Sequence, residues 1–274
     1  MHGAGNDFIL LDNRGAQLSP DAVPALAQRL CAMHTGLGAD GLMLIVPARQ
    51  GGDYGMRFYN ADGTVGEMCG NGARCICRYG YEHGLAGVRQ RVETGAGLVV
   101  GERIDARRYR VRLNDPSLLQ LHRTVSVDGL DFDCAYLELG RPGLPHAVLL
   151  LPDWDAWALP DLRRLGAALR SSPAFPRGAN VSFVRLLGPD RLKAVTFERG
   201  VEDFTLACGT GSGSIVAALT LLGLVSGHEV AVEMPGGTLS VSLSVEADRV
   251  HDIFLTGPTC VVCEGELTDE ILGL

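Results

Sequence analysis

The chain has 274 residues, 46% of them hydrophobic, with 24 Lys+Arg against 32 Asp+Glu for a net charge of −8. That length supports one large or two ordinary domains with proper cores, and without a basic run or basic face a small molecule is a better partner than nucleic acid or an anionic membrane. No charged n-region with an apolar h-region opens the chain and no run of 18 apolar residues occurs, so a cytoplasmic location is expected.

In chain order, His2-Gly3-Ala4-Gly5-Asn6-Asp7 reads as a glycine-spaced turn and Phe8 to Asp12 as a buried strand. Ser19-Pro20-Asp21 has the order of an N-cap, an N1 proline and an acidic first turn, and predicts a helix through about His34. Strands are expected at Leu42 to Val46 and Tyr54 to Tyr59, then a turn at Asn60-Ala61-Asp62-Gly63. Glu67-Met68-Cys69-Gly70-Asn71-Gly72-Ala73-Arg74-Cys75 is a turn feeding a helix that stops near Gly84 to Gly87. Strands follow at 89–93, 97–104 and 109–113, around Val125, and at 136–139 and 147–151, with a helix at 160–170. Strands at 181–187 and 191–198 lead to Leu206-Ala207-Cys208-Gly209-Thr210-Gly211-Ser212-Gly213, again a cysteine before small residues, with a helix to about Val225. Strands at 229–234, 238–245 and 250–255 come next, and Cys260 onward reads as one more strand and an end piece.

The two cysteine turns belong to a repeat. Cys69 lies 139 residues before Cys208, Glu93-Thr94-Gly95 lies 140 before Glu233-Met234-Pro235, and Asn114-Asp115-Pro116 lies 142 before Thr256-Gly257-Pro258. Near-constant spacing over three landmarks of different chemistry predicts two copies of one unit, about 60–116 and 198–258, each a Cys-Gly turn, a helix and β-hairpins. A pseudo-two-fold relation between them would bring both thiols to a shared cleft.

A thiol at a helix entry meets unpaired N–H groups and the positive end of the dipole, so it ionises more readily than a free cysteine at about 8.5. Two such thiols can form a disulfide switch, a metal site, or an acid and a base on opposite sides of a substrate. In the last case, taking a proton from one face of a carbon and returning it to the other inverts the centre. The backbone N–H groups of Gly70, Asn71, Gly209 and Thr210 are placed to steady a carboxylate on the developing carbanion. Pyridoxal phosphate would need a lysine, and Lys193, the only one, sits in an ordinary strand pattern. Cys260-Val261-Val262-Cys263 has zinc-like spacing, but in a strand its two thiols point to opposite faces and no second pair accompanies it. No metal and no cofactor are therefore expected, and Cys31, Cys75, Cys77, Cys134, Cys260 and Cys263 read as packing residues. Glu198 and Arg199 precede the second thiol, able to orient Cys208 and to fork a carboxylate, or to form a plain surface pair. His146 is either a partner for Cys69 or a structural histidine, and Asn60 and Asn180 are turn-formers or ligands.

Taken together the motifs resemble those of the diaminopimelate epimerase family. The residues that carry the resemblance are Met1 to Phe8, Tyr59 to Gly63, Cys69-Gly70-Asn71-Gly72-Ala73-Arg74, Asn180, Glu198-Arg199-Gly200, Ala207 to Gly211 and Met234 to Gly237, in the family's order over nearly the whole chain. The resemblance implies an α+β fold of two pseudo-symmetric domains, each a β-barrel-like sheet around a central helix, with 1–116 plus about 262–274 in the first and 117–261 in the second. It implies an isomerase that interconverts LL- and meso-diaminopimelate without a cofactor, in lysine and peptidoglycan precursor synthesis. Cys69 and Cys208 would be base and acid, with His146 beside the first and Glu198 beside the second. Asn6, Asn60, Asn180, Glu198 and Arg199 would hold the substrate's far groups, and Gly70, Asn71, Gly209 and Thr210 its reacting carboxylate. A homodimer is the expected assembly.

Three positions depart from the family pattern. Leu144 stands where many members have an asparagine, Gly41 where some have a glutamine, and Ser212-Gly213-Ser214 follows the second thiol. The residues that usually precede Met-His-Gly are missing, which predicts a clipped first strand. The departures at Leu144 and Gly41 leave room for a related two-cysteine racemase of another amino acid. A thiol redox sensor built on Cys69 and Cys208 is the reading from a different class.

Overall fold

The computed structural model describes residues 1–16, 18–66 and 68–272; Glu67, which opens the first cysteine stretch, lies outside them, as do Gln17 and the last two residues of the tail. The chain divides into two compact units, residues 1–111 with 257–274, and 112–256. No helix among the described residues is long and apolar enough to cross a membrane.

The first unit runs β1 (His2–Gly3), β2 (Asn6–Asp12), α1 (Asn13–Ala16), α2 (Val23–Cys31), β3 (Gly41–Val46), β4 (Tyr54–Asn60), β5 (Val65–Gly66), α3 (Gly70–Glu82), β6 (Arg89–Thr94), β7 (Gly97–Arg103) and β8 (Arg108–Arg112). The second runs β9 (Pro116–Val127), β10 (Leu130–Leu139), β11 (Leu144–Leu150), α4 (Leu159–Arg170), β12 (Asn180–Gly188), β13 (Arg191–Glu198), β14 (Asp203–Phe204), α5 (Gly209–Leu221), β15 (Val230–Met234), β16 (Gly237–Glu246) and β17 (Arg249–Pro258). A last short helix, α6 (Asp269–Leu272), closes the tail.

The same topology is written twice, and further than the sequence spacing reached. β2 pairs parallel with β3 and β11 with β12, each through a helical crossover; β4 pairs parallel with β6, and β13 with β15. The remaining neighbours are antiparallel hairpins in both units, down to the β1–β2 and β10–β11 pairs that open them. Register makes the equivalence residue-specific. Phe8 faces Gly41 in the first unit and His146 faces Asn180 in the second. Gly41 in turn faces Asn60, and one step beyond the Val181–Phe197 pair Asn180 lies opposite Glu198.

Each unit buries one central helix, α3 in the first and α5 in the second. In α3 every residue from Gly70 to Cys77 is buried, and in α5 Ile215 to Leu219 are at most 1% exposed; the second half of α5 is apolar all round and has nowhere else to go. Small residues admit the sheet: a Cβ on Gly72 would stand 1.7 Å from Met43 Cε. A buried polar clip also ties α3 to its strands, with Tyr54 Oη donating to Gln90 Oε1 at 2.6 Å and Gln90 Nε2 donating to the Cys77 carbonyl at 2.7 Å. The outer helices cover the other face, α2 with Leu26, Ala27 and Leu30 on Leu42, Leu44 and Tyr59, and α4 with Leu162, Leu165 and Leu169 on Val181, Phe183 and Phe197.

Several local expectations need correction. The α2 helix starts at Val23, with Ala22 at its cap and no side-chain cap bond. Pro24 cannot sit inside a helix begun at Ser19, because it lacks the N–H and its ring meets the preceding turn; Ser19 instead closes a turn by accepting from Ala22 N. The helix ends at Cys31, three residues early, where Leu37 and Gly38 N–H groups fold back onto the Leu30 carbonyl. β9 and β10 form one long hairpin, larger than the short strands expected there, turned by Asp128-Gly129 with both φ positive. Among the described residues the tail carries no strand: Cys260 makes one isolated bridge to His2, and Cys260 and Cys263 are exposed rather than packed. With Val262 67% exposed, nothing apolar draws that segment onto the two-residue edge strand. Cys31, Cys75, Cys77 and Cys134 are buried.

Candidate active site

Two half-sites are built to one plan, a cysteine at the N-cap of each central helix with extended backbone: φ −129°, ψ 122° at Cys69 and φ −110°, ψ 109° at Cys208. Their carbonyls accept the first intrahelical bonds, from Ala73 N at 2.8 Å and Ser212 N at 2.9 Å. The N–H groups of Gly70, Asn71 and Gly72, and of Gly209, Thr210 and Gly211, therefore come before the ladder begins. They are the groups a helix start offers to an anion.

In the first unit Cys69 Sγ donates to Asn6 Oδ1 at 3.4 Å, and the same oxygen accepts from Asn71 Nδ2 at 3.2 Å. Asn6 Nδ2 donates to Asp40 Oδ2 at 2.5 Å, so the carboxylate fixes which way that amide faces. Asn71 Oδ1 accepts from the wholly buried Arg74 at 3.1 Å. Gly3 presses on this cluster; a Cβ there would lie 2.9 Å from the Asn71 carbonyl oxygen. Asn60, at the end of β4, is tied to its own turn by Nδ2 donating to Thr64 Oγ1 at 2.9 Å. It stands beside Gly41, where a Cβ would meet Phe58 at 2.6 Å and the Tyr59 carbonyl oxygen at 2.7 Å, which explains the lack of a side chain there.

In the second unit Cys208 is buried, and its Sγ accepts from Gly211 N at 3.3 Å and lies 3.7 Å from Thr210 Oγ1. Burial, and next the negative charge of Glu198, push its thiol well above the ordinary cysteine range. Glu198 itself accepts from Thr205 Oγ1 at 2.5 Å. Asn180 joins neighbouring segments, its Oδ1 accepting from Arg199 N at 2.8 Å and its Nδ2 donating to the Pro145 carbonyl at 3.3 Å. Arg199 Nη1 donates to the Arg177 carbonyl. His146, fully buried beside Asn180, has no hydrogen-bond partner at either ring nitrogen, and burial followed by the Arg199 charge lowers its pKa to about 3. It is a neutral imidazole at neutral pH.

The structure thus brings Asn6, Cys69 and Asn71 together in one unit, and Cys208, Thr210 and Glu198, with Asn180 and Arg199, in the other. Asn60 is local to its turn, and Gly70 and Gly209 contribute backbone only. Leu144 precedes His146 by two residues as Asn6 precedes Phe8, so the second unit carries a leucine at the register position of the first unit's asparagine. Asp40, Arg74 and Thr205 hydrogen-bond to candidate site side chains, and sequence reasoning gave none of them a role. Arg74 stood inside the quoted motif; Asp40 and Thr205 carry no local signal. Burial first of all raises the other buried thiols as well, Cys31 to about 11 and Cys75, Cys77 and Cys134 to about 12.

Solved structures share this architecture. A Bacillus anthracis phenazine biosynthesis protein of the PhzF family matches with a TM-score of 0.70 at 16% identity, over 94% of this chain and 92% of that one. A probable proline racemase from Agrobacterium radiobacter matches at 0.66 and 17% identity, over 100% and 96%. The repeated topology therefore defines an α+β protein of the two-pseudo-symmetric-domain class that these structures represent. At the level of sequence, the diaminopimelate epimerase family model matches residues 1–118 and 141–262. The diaminopimelate epimerases of Aquifex aeolicus and Methanothrix thermoacetophila are 37% and 39% identical over 99% of the chain, covering 98% and 96% of their own lengths. The chain belongs to the diaminopimelate epimerase family.

Proposed function

We propose that this protein is an epimerase that interconverts LL- and meso-diaminopimelate by moving the α-proton between Cys69 and Cys208, with no cofactor. The observation that carries the reading is the pair of cysteines capping topologically equivalent buried helices. In one direction a thiolate at one cysteine takes the α-proton and becomes a thiol, leaving the electron pair on carbon. The thiol of the other cysteine then gives its proton to the opposite face and becomes the thiolate, so protons and charge balance and only the configuration changes. The reading requires both thiols to address one α-carbon from opposite sides. Donors before each helix, from Gly70, Asn71, Gly209 and Thr210, suit the charge that grows on the α-carboxylate.

The raised Cys208 thiol, with Glu198 next to it, suits the proton-donating role at rest. His146, neutral and buried, suits a partner for the first thiol. Asn6, Asn60, Asn180, Glu198 and Arg199 are taken as holding the distal amino and carboxylate groups, with Arg199 as the carboxylate fork. The only lysine, Lys193, has its Nζ over the Trp154 ring at 5.4 Å, which does not suit a Schiff base in either half-site. A cytoplasmic homodimer serving lysine and peptidoglycan precursor synthesis completes the reading; sedimentation at twice the 29.1 kDa chain mass checks the assembly.

The test is epimerisation in D₂O. Purified protein should convert LL-diaminopimelate to the meso form with deuterium entering the α-position and no pyridoxal phosphate added, and Cys69→Ala should abolish turnover. Full activity in Cys69→Ala, or dependence on added pyridoxal phosphate, refutes the two-cysteine mechanism.

A further inference from the structure

Arg74 is the largest fully buried side chain among the described residues, 0% exposed. Its Nη1 donates to the Gly70 carbonyl at 3.3 Å, its Nη2 to Asn71 Oδ1 at 3.1 Å, and its Nε has no partner. A buried guanidinium held by one carbonyl and one amide, with no carboxylate ion-paired to it among the described residues, is costly to the fold, about several kcal/mol for an uncompensated ion. A charge kept at such cost calls for a reason outside packing.

Two observations supply one. The first is direction. Arg74 offers only donors, so it fixes Asn71 with Oδ1 inward and Nδ2 toward Asn6; Asp40 Oδ2 accepts from Asn6 Nδ2, so Asn6 turns Oδ1 toward Asn71 and the Cys69 sulfur. A donor at one end and an acceptor at the other leave the amide pair a single sense. The second is asymmetry. With Cys69 equivalent to Cys208, Arg74 falls on Gly213, whose Cβ position is filled by Leu113 Cδ1 at 2.7 Å and Ile253 Cγ2 at 3.4 Å. One helix entry therefore has a cation behind its thiol and the other an apolar bed.

We propose that Arg74 is a positioning residue for Cys69: its guanidinium sets the sense of the Asn71–Asn6 amide pair and is the counter-charge against which the Cys69 thiolate forms. The Arg74 and Cys69 charges act on each other. Helix α3 packs on β1, β2 and β7, which carry His2, Asp7, Asp12, Glu102 and Arg103. Asp12 is engaged by Arg14 and Tyr79, Glu102 by Arg110, and Arg103 lies over the Tyr81 ring. Among the neighbouring charges, the Met1 ammonium acts on Cys75 and Asp7 and Asp40 act on Cys31, while Arg74 is a cation whose charge acts on Cys69.

The kinetic arm of the test rests on the epimerase reading; the labelling arm does not, so failure of either can be told apart. In the full chain, iodoacetamide labelling of Cys69 and of Cys208 is followed by peptide mass spectrometry from pH 6 to 10. Arg74→Met should move the Cys69 labelling midpoint upward, with about tenfold less labelling near pH 7.5, one unit in thiolate fraction, while the Cys208 profile stays in place. Arg74→Lys keeps the charge and loses the fork, so its Cys69 midpoint should stay near that of the wild type, while kcat falls about tenfold and KM changes little, the pattern of lost orientation. A folded Arg74→Met with the wild-type Cys69 profile overturns the proposal. Should that variant not fold, Arg74→Lys decides: a rise in its Cys69 midpoint, or parallel movement of both cysteines, overturns it, whereas an unmoved midpoint with lowered kcat supports it.

Discussion

His146 gives the protein a pH-dependent stability whose size follows from its surroundings. It is fully buried, neither ring nitrogen has a partner, and burial lowers its pKa from the usual histidine value of about 6.5 to about 3. A depressed pKa means that the unfolded chain binds the proton more tightly than the native one. The contribution is therefore complete above about pH 6.5 and is lost as pH falls toward 3. Each pH unit inside that window is worth about 1.4 kcal/mol, so the loss between pH 7 and pH 5 is about 2 kcal/mol, and about 5 kcal/mol over the whole window. Urea unfolding at pH 7 and pH 5, on the wild type and on His146→Leu, isolates the effect. Leucine fills similar space and has no proton to gain, and every other titrating group is common to both proteins. The free-energy difference between wild type and variant should change by about 2 kcal/mol between the two pH values, the wild type losing more. Parallel loss in both proteins would refute the reasoning, because the imidazole would then be reaching solvent or a partner in the native state.

Other outcomes follow from single contacts. Gly80→Ala places a Cβ 2.4 Å from Tyr54 Oη and 2.7 Å from its Cζ; the ring must move off Gln90, and the strain outweighs the roughly 1 kcal/mol of helix propensity gained, for a net loss of about 1–3 kcal/mol in urea unfolding. Glu198→Gln removes the second cause of the raised Cys208 thiol, so Cys208 labelling by iodoacetamide at pH 8 should rise several-fold while burial keeps it below that of a free thiol; an unchanged rate sinks the assignment. Leu144→Asn restores an amide at the register position of Asn6 and should lower KM for diaminopimelate more than it raises kcat, as uniform binding does; a change confined to kcat contradicts it.

The features that local chemistry decides were legible in the sequence. A cysteine before Gly-Asn-Gly and another before Gly-Thr-Gly marked both helix entries, and the 139-residue spacing between them disclosed the repeat. Local chemistry was also misread in places. The Asp128-Gly129 pair is a hairpin signal in plain sight, and Pro24 forbids the early start assigned to α2. What stayed hidden was long-range. That Asp40 faces Asn6, or that Thr205 reaches Glu198, depends on strand register, which spacing along the chain does not state. The role of Arg74 was hidden differently: its letter was in the motif, but only its burial without a carboxylate partner shows that its charge is unusual.

The first unit is discontinuous, made of residues 1–111 and 257–274 with the whole second unit between them. Its closing contacts come from the late segment: Thr259 N and Oγ1 donate to the Arg107 carbonyl, Arg78 Nη1 donates to the Thr259 carbonyl, and Cys260 exchanges backbone bonds with His2. Synthesis on the ribosome therefore meets the two units in an order opposite to their numbering. The contiguous second unit has its strands paired as far as Thr256 once that residue has emerged, while the first must wait, with the β1 edge and the Arg78 flank of α3 uncovered, until residues 257 onward arrive. A chain ending after residue 256 should be cut by a protease within the first hundred residues and spared in the next hundred and forty.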